Sequence, residues 1–453
     1  MQSINPVTGE LIREYEPHTA QQAAECIEEA HARFLSWKGM SFDERAGYMR
    51  NAAVVLRKRK EEFAALMADE MGKPLAEGRA EIEKCAATCE YYAEHAQVLL
   101  KDEKVETEAR SSFITWQPLG VILAIMPWNF PFWQVFRFAA PNLMAGNVGV
   151  LKHASNVCGC ALAIEDIFRE AGFPKGCFST LLIGSDAMES VIAHKHVRAV
   201  TLTGSTQAGK AVAGKAAALL KKTVLELGGS DPYVVLADAN VKEAAIECAK
   251  SRLINAGQSC IAAKRFIVVA SVREEFERHF LDHFKQAVSG NPHDEGIGIG
   301  PLAREDLRDT LHSQVEKSVK QGAKLLLGGK VPEGKGSLYP PTVLSAVRPG
   351  MTAFEEELFG PVAAIIEAKD EEDAFMLANA SAFGLGSAIF TSDMRRAEEL
   401  AKTRINAGQC FVNAFVRSDP HLPFGGVGES GYGRELGALG IREFMNAKTV
   451  YIA

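Results

Sequence analysis

The chain has 453 residues, of which 47% are hydrophobic and 24% are charged, and its formal net charge is −7. This length allows roughly two or three domains with ample cores. No lysine or arginine cluster stands out, which argues against a nucleic-acid partner. The most apolar stretch, residues 120–151, contains prolines, asparagines and Arg137. A membrane-spanning helix would not carry all of these, so we expect no membrane association.

The amino terminus and the cysteines indicate the compartment. The first residues lack the basic start and apolar core of a signal peptide. None of the nine cysteines has the spacing of a zinc site. We therefore expect reduced thiols, a cytoplasmic protein and no metal.

Helical periodicity dominates residues 19–101, where the pattern predicts three helices. Thr19 provides a capping signal for the first helix. A capping box at Ser41 starts the second, which continues to Met71. The third covers residues 75–99. We interpret all three as scaffold.

Residues 104–117 alternate in polarity and predict two strands outside the helix order, which form an arm. Strands and helices then alternate over residues 120–226 and again over 233–405. Near-continuous apolar strands separated by helices are typical of parallel sheets covered on both faces, so the fold class is α/β. The predicted strands are 121–125, 148–151, 178–182, 199–203, 223–226, 233–236, 266–270, 324–327, 363–367 and 386–390, with a possible edge strand at 449–452. The predicted helices are 132–144, 157–170, 188–193, 207–220, 241–253, 274–287, 305–320, 370–377 and 394–402.

One thiol, Cys260, lies on a turn between a predicted helix and a predicted strand. Gly257 allows the backbone to turn there without a penalty from a Cβ atom. A thiol that solvent reaches can be a nucleophile if its pKa is lowered. Most free cysteines are instead buried and inert. This segment by itself leaves both interpretations open.

A strand, a turn and a helix start occur in succession at residues 199–211. Backbone N–H groups at Gly204 and Ser205 are suited to bind a phosphate. The spacing nearly matches a P-loop, but Ala211 stands where that motif needs a hydroxyl for magnesium. A nucleoside-triphosphate-binding protein stays open as an alternative. A G-x-G-x-x-G pattern beginning at Gly426 follows no apolar strand and is interpreted as a loop.

Six short motifs occur in order between residues 126 and 426. Together they resemble an aldehyde dehydrogenase along nearly the whole chain, most closely the shorter bacterial succinate-semialdehyde dehydrogenases. They are Met126-Pro127-Trp128-Asn129-Phe130-Pro131, Thr203-Gly204-Ser205, Leu225-Glu226-Leu227-Gly228-Gly229, Gly257-Gln258-Ser259-Cys260, Glu357-Leu358-Phe359-Gly360-Pro361 and Pro423-Phe424-Gly425-Gly426.

The resemblance implies a fold with three parts. A Rossmann-like cofactor domain would comprise residues 1–103 and 118–229, and an α/β catalytic domain residues 230–433. A small β oligomerisation arm would comprise residues 104–117 and 434–453, where strand edges pair with another subunit. A homodimer or homotetramer is therefore expected.

The resemblance also implies the catalytic roles. Cys260 would attack the aldehyde carbon to give a thiohemiacetal. The oxyanion would be held by the side-chain amide of Asn129 and the backbone N–H of Cys260. After hydride transfer, Glu226 would activate the water that hydrolyses the thioester.

The resemblance further implies a nicotinamide cofactor. Lys152 would bind the adenosine ribose or its phosphate, and Glu357 the nicotinamide ribose. Ser155 stands where many NAD-preferring relatives carry a glutamate, and its hydroxyl should admit a 2′-phosphate. We therefore predict that NADP is preferred and that NAD is also usable. The residues expected to bind the cofactor are Trp128, Lys152, Ser155, Gly204, Ser205, Leu227 and Glu357.

The substrate follows from two further positions. Relatives that act on succinate semialdehyde match Arg137 and Ser418 with residues that bind the distal carboxylate. Larger relatives carry a second arginine six residues before the nucleophile, where this chain has Ile254. Another short or medium aldehyde, such as glutarate semialdehyde or an aliphatic aldehyde, therefore stays open. So does an acylating member that uses coenzyme A, although Glu226 argues against it.

Overall fold

Two large sheets and one small antiparallel sheet organise the chain, described by a computed structural model over all 453 residues. The α/β fold class is confirmed. The first third of the chain supplies a hairpin, a helical layer and the start of the small sheet. Its elements are β1 Gln2–Ile4, β2 Leu11–Glu14, α1 Ala20–Trp37, α2 Phe42–Lys58, α3 Lys60–Met71, α4 Leu75–Leu99, β3 Glu103–Lys104 and β4 Ser111–Pro118.

Four helices, not the predicted three, occupy the helical region. The predicted second helix is broken at Arg59, whose φ of −104° and ψ of 18° end α2 and begin α3. The break carries neither glycine nor proline, so the sequence pattern did not reveal it. Both predicted capping signals are confirmed, because Thr19 and Ser41 each accept a hydrogen bond from the backbone of the first helical turn.

The first large sheet has six strands in the order β19-β9-β8-β5-β6-β7. Strands β5 to β9 are parallel, and each lies within two residues of its predicted start. The elements of this block are β5 Val121–Met126, α5 Trp133–Met144, β6 Val148–His153, α6 Cys158–Glu170, β7 Phe178–Thr180, α7 Met188–Ala193, β8 Val197–Thr203, α8 Thr206–Ala218 and β9 Lys222–Glu226.

The second large sheet has seven strands in the order β12-β13-β14-β11-β10-β16-β17. All pairs are parallel except β12 with β13. The prediction missed β13, which follows two prolines, and the two-residue β17. The remaining elements are β10 Pro232–Val235, α9 Val241–Leu253, β11 Arg265–Val269, α10 Arg273–Phe284, α11 Glu305–Lys320, β12 Lys324–Leu327, β13 Thr342–Ser345, α12 Thr352–Glu355, β14 Val362–Ala368, α13 Glu371–Asn379, β15 Phe383–Gly384, β16 Ala388–Phe390, α14 Met394–Thr403, β17 Phe411–Val412, β18 Val427–Gly428, β19 Gly431–Tyr432, α15 Gly437–Arg442 and β20 Met445–Ile452.

The chain crosses between the two large sheets near its carboxyl end. Strand β19 pairs antiparallel with β9, so that Gly431 lies opposite Glu226. The G-x-G-x-x-G pattern, interpreted as a loop, thus forms the turn between β18 and β19. This return brings residues 423–435 against the end of β9, where the candidate site lies. The domain boundaries themselves stay a prediction.

The small sheet has the order β20-β4-β3. Strand β20 pairs antiparallel with β4 over eight positions, from Met445 opposite Pro118 to Ile452 opposite Ser111. It is longer than the predicted edge strand at 449–452, and its outer edge has no partner strand. No helix of the protein has both the length and the apolarity needed to cross a membrane.

Candidate active site

The turn that carries Cys260 has an unusual backbone. Asn255, Ala256 and Gly257 have φ values of 53°, 52° and 73°. Residues other than glycine rarely adopt this left-handed backbone conformation, which costs about 1–3 kcal/mol of strain for each such residue. At Gly257 a Cβ atom would lie 2.1 Å from the carbonyl oxygen of Gly360, so close approach as well as the turn requires glycine there.

Buried polar contacts hold this turn in place. Asn255 donates its side-chain amide to the carbonyl oxygens of Asn129 (2.8 Å) and Gln258 (3.1 Å). Its backbone N–H donates to Glu77 of α4. From the other side, Lys264 donates to the carbonyl oxygen of Cys260 at 2.7 Å. The strained turn therefore persists because surrounding groups determine its shape.

Cys260 is half-buried, and all nine cysteines are free. Burial raises the pKa of its thiol to about 12; Arg137 and Lys264 oppose that rise, whereas Glu357 and Glu226 add to it. The thiol is therefore protonated at neutral pH in the free protein. The thiol of Cys260 therefore does not have the lowered pKa expected of a nucleophile, because Arg137 and Lys264 do not offset the effect of burial.

Asn129 lies beside this turn and is buried. Its side-chain amide donates to the carbonyl oxygen of Gln258 at 3.0 Å, and its own carbonyl accepts from Asn255. One amide hydrogen of Asn129 is used in this way, which leaves the second for another acceptor.

Glu226 ends β9, and its carboxylate is buried without a hydrogen-bond partner. Burial and the neighbouring Glu435 raise its pKa well above the usual range, against the attraction of Arg137 and Arg434. A Cβ atom at Gly425 would lie 2.7 Å from the Glu226 carboxylate, so glycine is needed for this close approach. An unpaired buried carboxyl of this kind is a candidate for proton transfer.

Arg137 lies in α5 with 2% of its surface exposed. Its guanidinium forms an ion pair with Glu435, lies 4.6 Å above the ring of Phe424 and donates to Thr203 at 3.4 Å. Glu435 thus already neutralises the cation predicted to bind a substrate carboxylate. The predicted role of Arg137 is not tested by this geometry and stays a prediction.

Glu357 points inward, unlike the exposed Glu355 and Glu356 beside it. Its carboxylate accepts the N–H of Gly229 at 3.0 Å and lies 3.4 Å from the Lys264 ammonium. Lys264 thus joins Glu357 to the backbone of Cys260. No role was predicted for Lys264, because no motif distinguishes it from other strand-flanking lysines.

Apart from Glu357, the predicted cofactor residues lie at or just after the carboxyl ends of strands β5, β6, β8 and β9 of the six-stranded sheet. Lys152, at the end of β6, is half-buried without an ion-pair partner, and burial lowers its pKa. Ser155 is exposed three residues later, and no acidic residue stands between them. A half-buried cation beside an exposed hydroxyl, at the strand ends of a parallel sheet, fits the phosphorylated ribose of NADP.

The turn before α8 differs in one detail from the prediction. The N–H of Gly204 donates to the carbonyl oxygen of Glu226 at 3.0 Å, so it is not free for a phosphate. Ser205 caps α8 by accepting from the N–H of Ala208 at 3.3 Å. The backbone N–H of Ser205 has no hydrogen-bond partner, so the free donors for a phosphate begin at Ser205 and continue into the first turn of the helix.

Trp128 and Leu227 are the two apolar residues among the predicted cofactor contacts. Trp128 is half-buried and packs edge-on against Phe359, with ring centroids 5.8 Å apart. Leu227 is buried and packs so tightly on α8 that a Cβ atom at Gly209 would lie 2.5 Å from it. Leu227 thus sets the distance between β9 and α8.

Ser418 is buried next to α4, where it accepts a hydrogen bond from Lys84 at 2.7 Å. Arg252, two residues before the position where larger relatives carry their second arginine, is fully buried and donates to the carbonyl oxygen of Gly257. Neither Lys84 nor Glu435 was predicted as a site residue. Their partners lie hundreds of positions away, so no local pattern reports them.

The statistical model of the aldehyde dehydrogenase family matches residues 1–450. A Synechocystis protein named "Probable succinate-semialdehyde dehydrogenase (NADP+)" is 49% identical over 451 residues, which cover 100% of this chain and 99% of that protein. Succinate semialdehyde dehydrogenase (NAD(P)+) Sad of Escherichia coli is 47% identical over 449 residues, 99% of this chain and 97% of its own.

Among solved structures, succinic semialdehyde dehydrogenase from Streptococcus pyogenes, in complex with NADP+ as the cofactor, superposes with a TM-score of 0.97. It is 37% identical, covering 100% of this chain and 99% of that one. The fold and the site thus define an NAD(P)-dependent aldehyde dehydrogenase. This chain belongs to the aldehyde dehydrogenase family, which disfavours the nucleoside-triphosphate-binding alternative.

Proposed function

We propose that this protein oxidises succinate semialdehyde to succinate with NADP. The observation that carries the proposal is that the half-buried Cys260 thiol and the unpaired, buried Glu226 carboxyl share one site, where Glu226 is close enough to raise the pKa of the thiol. A nucleophile and a base held together in a partly dry site are what two-step oxidation of an aldehyde needs.

In the first step, the Cys260 sulfur bonds to the aldehyde carbon as the thiol proton passes to solvent water. The carbonyl oxygen becomes an oxyanion, which accepts hydrogen bonds from the free amide hydrogen of Asn129 and the backbone N–H of Cys260. The contacts of Asn255 and Lys264 with this turn support both donors before the substrate arrives.

Bound NADP⁺ would supply the acceptor for the hydride that leaves the substrate carbon. Glu357 would orient the nicotinamide ribose, since its carboxylate is already fixed by Gly229 and Lys264. A Cβ atom at Gly228 would lie 2.6 Å from that carboxylate, so this glycine lets Glu357 enter the site. Lys152 and Ser155 would hold the 2′-phosphate, because one supplies a positive charge and the other a hydroxyl donor.

In the second step, Glu226 accepts a proton from water, and the resulting hydroxide attacks the thioester carbon. The carbon–sulfur bond breaks, succinate leaves and the sulfur regains a proton. A carboxyl with a raised pKa is suited to this role, since its basicity is closer to that needed near neutral pH.

The remaining assignments concern substrate, assembly and compartment. Arg137 and Ser418 would face the distal carboxylate of the substrate, and the charge of Arg137 would be shared between that carboxylate and Glu435.

The free edge of β20 would pair with another copy of the chain to form a homodimer or homotetramer. Nine free cysteines are compatible with a reducing cytoplasm.

A substrate panel tests the proposal. Succinate semialdehyde, glutarate semialdehyde, butanal and pentanal are each assayed with NADP and with NAD. We expect the highest kcat/KM for succinate semialdehyde with NADP. Equal values for succinate semialdehyde and butanal would overturn the substrate assignment, and a clear advantage of NAD would overturn the cofactor assignment.

A further inference from the structure

A cavity of about 190 Å³ opens beside the Cys260 turn. Phe130, which follows Asn129, and Ile254, which precedes Asn255, form one side together with Trp133. Helix α4 forms the other side. The cavity therefore adjoins both Asn129, the proposed oxyanion donor, and Asn255, which holds the turn that carries the nucleophile.

Helix α4 directs three ionisable residues at this cavity, and two are already engaged. Glu77 accepts the N–H of Asn255 with both oxygens, and burial raises its pKa to about 7. Glu81 accepts the N–H groups of Phe132 and Trp133 and pairs with Lys73. Neither carboxylate forms an ion pair with the third residue.

The third residue is Lys84. Its ammonium donates to Ser418 at 2.7 Å and lies 4.1 Å from the ring centroid of Trp133, but it has no ion-pair partner. Asp419, the remaining acid within electrostatic range, is held by His421. Burial lowers the pKa of Lys84 to about 8, and the nearby Arg137 contributes. A largely buried cation without a counter-ion favours binding of an anion.

Arg137, which lies within electrostatic range of Lys84, is neutralised by Glu435, and Ile254 in the cavity wall carries no charge. One Lys84 N–H is used by Ser418, which leaves two donors for a carboxylate. The hydroxyl of Ser418 accepts from Lys84 and retains its own hydrogen to donate. Phe130, Trp133 and Ile254 supply apolar walls for a short methylene chain.

We propose that Lys84 determines substrate specificity by binding, together with Ser418, the distal carboxylate of a short aldehyde acid. This inference rests on the proposed function, because it places the acid end of the same substrate. Lys84 on α4 would then supply the second cation of the site, in place of the arginine that larger relatives carry at the position of Ile254.

The test compares Lys84→Met and Lys84→Gln with the unmodified enzyme on succinate semialdehyde and butanal, with NADP. We expect KM for succinate semialdehyde to rise roughly 10- to 100-fold, since a hydrogen-bonded charge is lost, while kcat/KM for butanal changes less than about twofold. Arg79→Met is the matched control: it removes a cation from α4 that pairs with Glu61 at the surface, and both substrates should keep their constants.

Three results would overturn the inference. These are unchanged KM for succinate semialdehyde in both variants, equal losses for both aldehydes, or failure of both variants to fold, which would make Lys84 a structural residue. Failure of the proposed function is distinguishable, because the unmodified enzyme would then show no preference for succinate semialdehyde over butanal.

Discussion

At the scale of single residues, the charge of the Glu226 carboxylate makes the Cys260 thiol harder to ionise. Burial raises both pKa values, and the charge of Glu226 adds to the rise at Cys260. Glu435 in turn raises the pKa of Glu226. In the free protein, both Cys260 and Glu226 therefore hold their protons to higher pH than an exposed thiol or carboxyl would. Activity should depend on pH for this reason.

We expect kcat/KM to rise from neutral to alkaline pH, because both groups must lose a proton to act. Glu435→Gln removes a negative charge near Glu226 and frees Arg137, so the pKa of Glu226 should fall and the acidic limb should move to lower pH. The measurement is a pH profile of kcat/KM. Glu443→Gln, which removes a carboxylate paired with Lys222 nearer the surface, should leave the profile in place. A limb that moves to higher pH in Glu435→Gln would contradict the assignment.

The two chemical steps can be separated at Glu226. We expect Glu226→Gln to form one NADPH per site in a burst and then turn over about 10²- to 10⁴-fold more slowly, because the base for hydrolysis is missing. Stopped-flow absorbance measures the burst, and Cys260→Ala should show none. Loss of the burst in Glu226→Gln would instead assign this carboxyl to activation of the thiol.

Cofactor preference depends on the charge near Lys152. Ser155→Glu places a carboxylate where the 2′-phosphate is proposed to bind, so the ratio of kcat/KM for NADP to that for NAD should fall by roughly tenfold or more. Ser190→Glu adds the same charge to the exposed side of α7 and should leave the ratio unchanged. An unchanged ratio in Ser155→Glu would show that the phosphate binds elsewhere.

At the scale of elements, the start of α5 is anchored by α4. Glu81 accepts the first two N–H groups around the start of α5 and neutralises the buried Lys73. Because Asn129 lies just before α5, this carboxylate also positions the oxyanion donor.

Glu81→Gln should reduce the free energy of unfolding by about 3–5 kcal/mol, since it leaves Lys73 buried without its partner. Glu90→Gln on the same helix breaks an exposed pair with Arg57 and should reduce it by about 1 kcal/mol or less. Urea denaturation followed by circular dichroism compares the two. Similar losses in both variants would mean that the buried pair adds nothing beyond an exposed one.

At the scale of the whole molecule, β20 holds the small sheet together and presents a free edge. Removal of residues 445–453 exposes β4 and eliminates the proposed pairing edge. We expect the particle mass in light scattering to fall to that of one chain. Glu108→Gln, which removes a contact of Tyr451 within the arm while keeping β20, is the control. An unchanged mass after truncation would place the subunit contact elsewhere.

The sequence predicted most of the fold but less of the site. Apolar runs between helices revealed nine of the parallel strands because their burial on both faces demands such composition. The two-residue strands β17 and β19 were missed. A strand that short forms by pairing with the edge of a neighbouring strand and needs no alternation of apolar and polar residues in its own sequence. The break at Arg59 was missed because it has no glycine or proline.

By itself, the sequence determined the family, the two parallel sheets and the identity of Cys260, Glu226 and Asn129 as candidates, because motifs and apolar periodicity are local. Only the tertiary structure decided the electrostatics. It showed that Arg137 is neutralised by Glu435, that Lys264 connects Glu357 to Cys260, and that Lys84 lacks a counter-ion. These facts depend on burial and on distances between segments far apart in the chain, and neither quantity is written in the local order of residues.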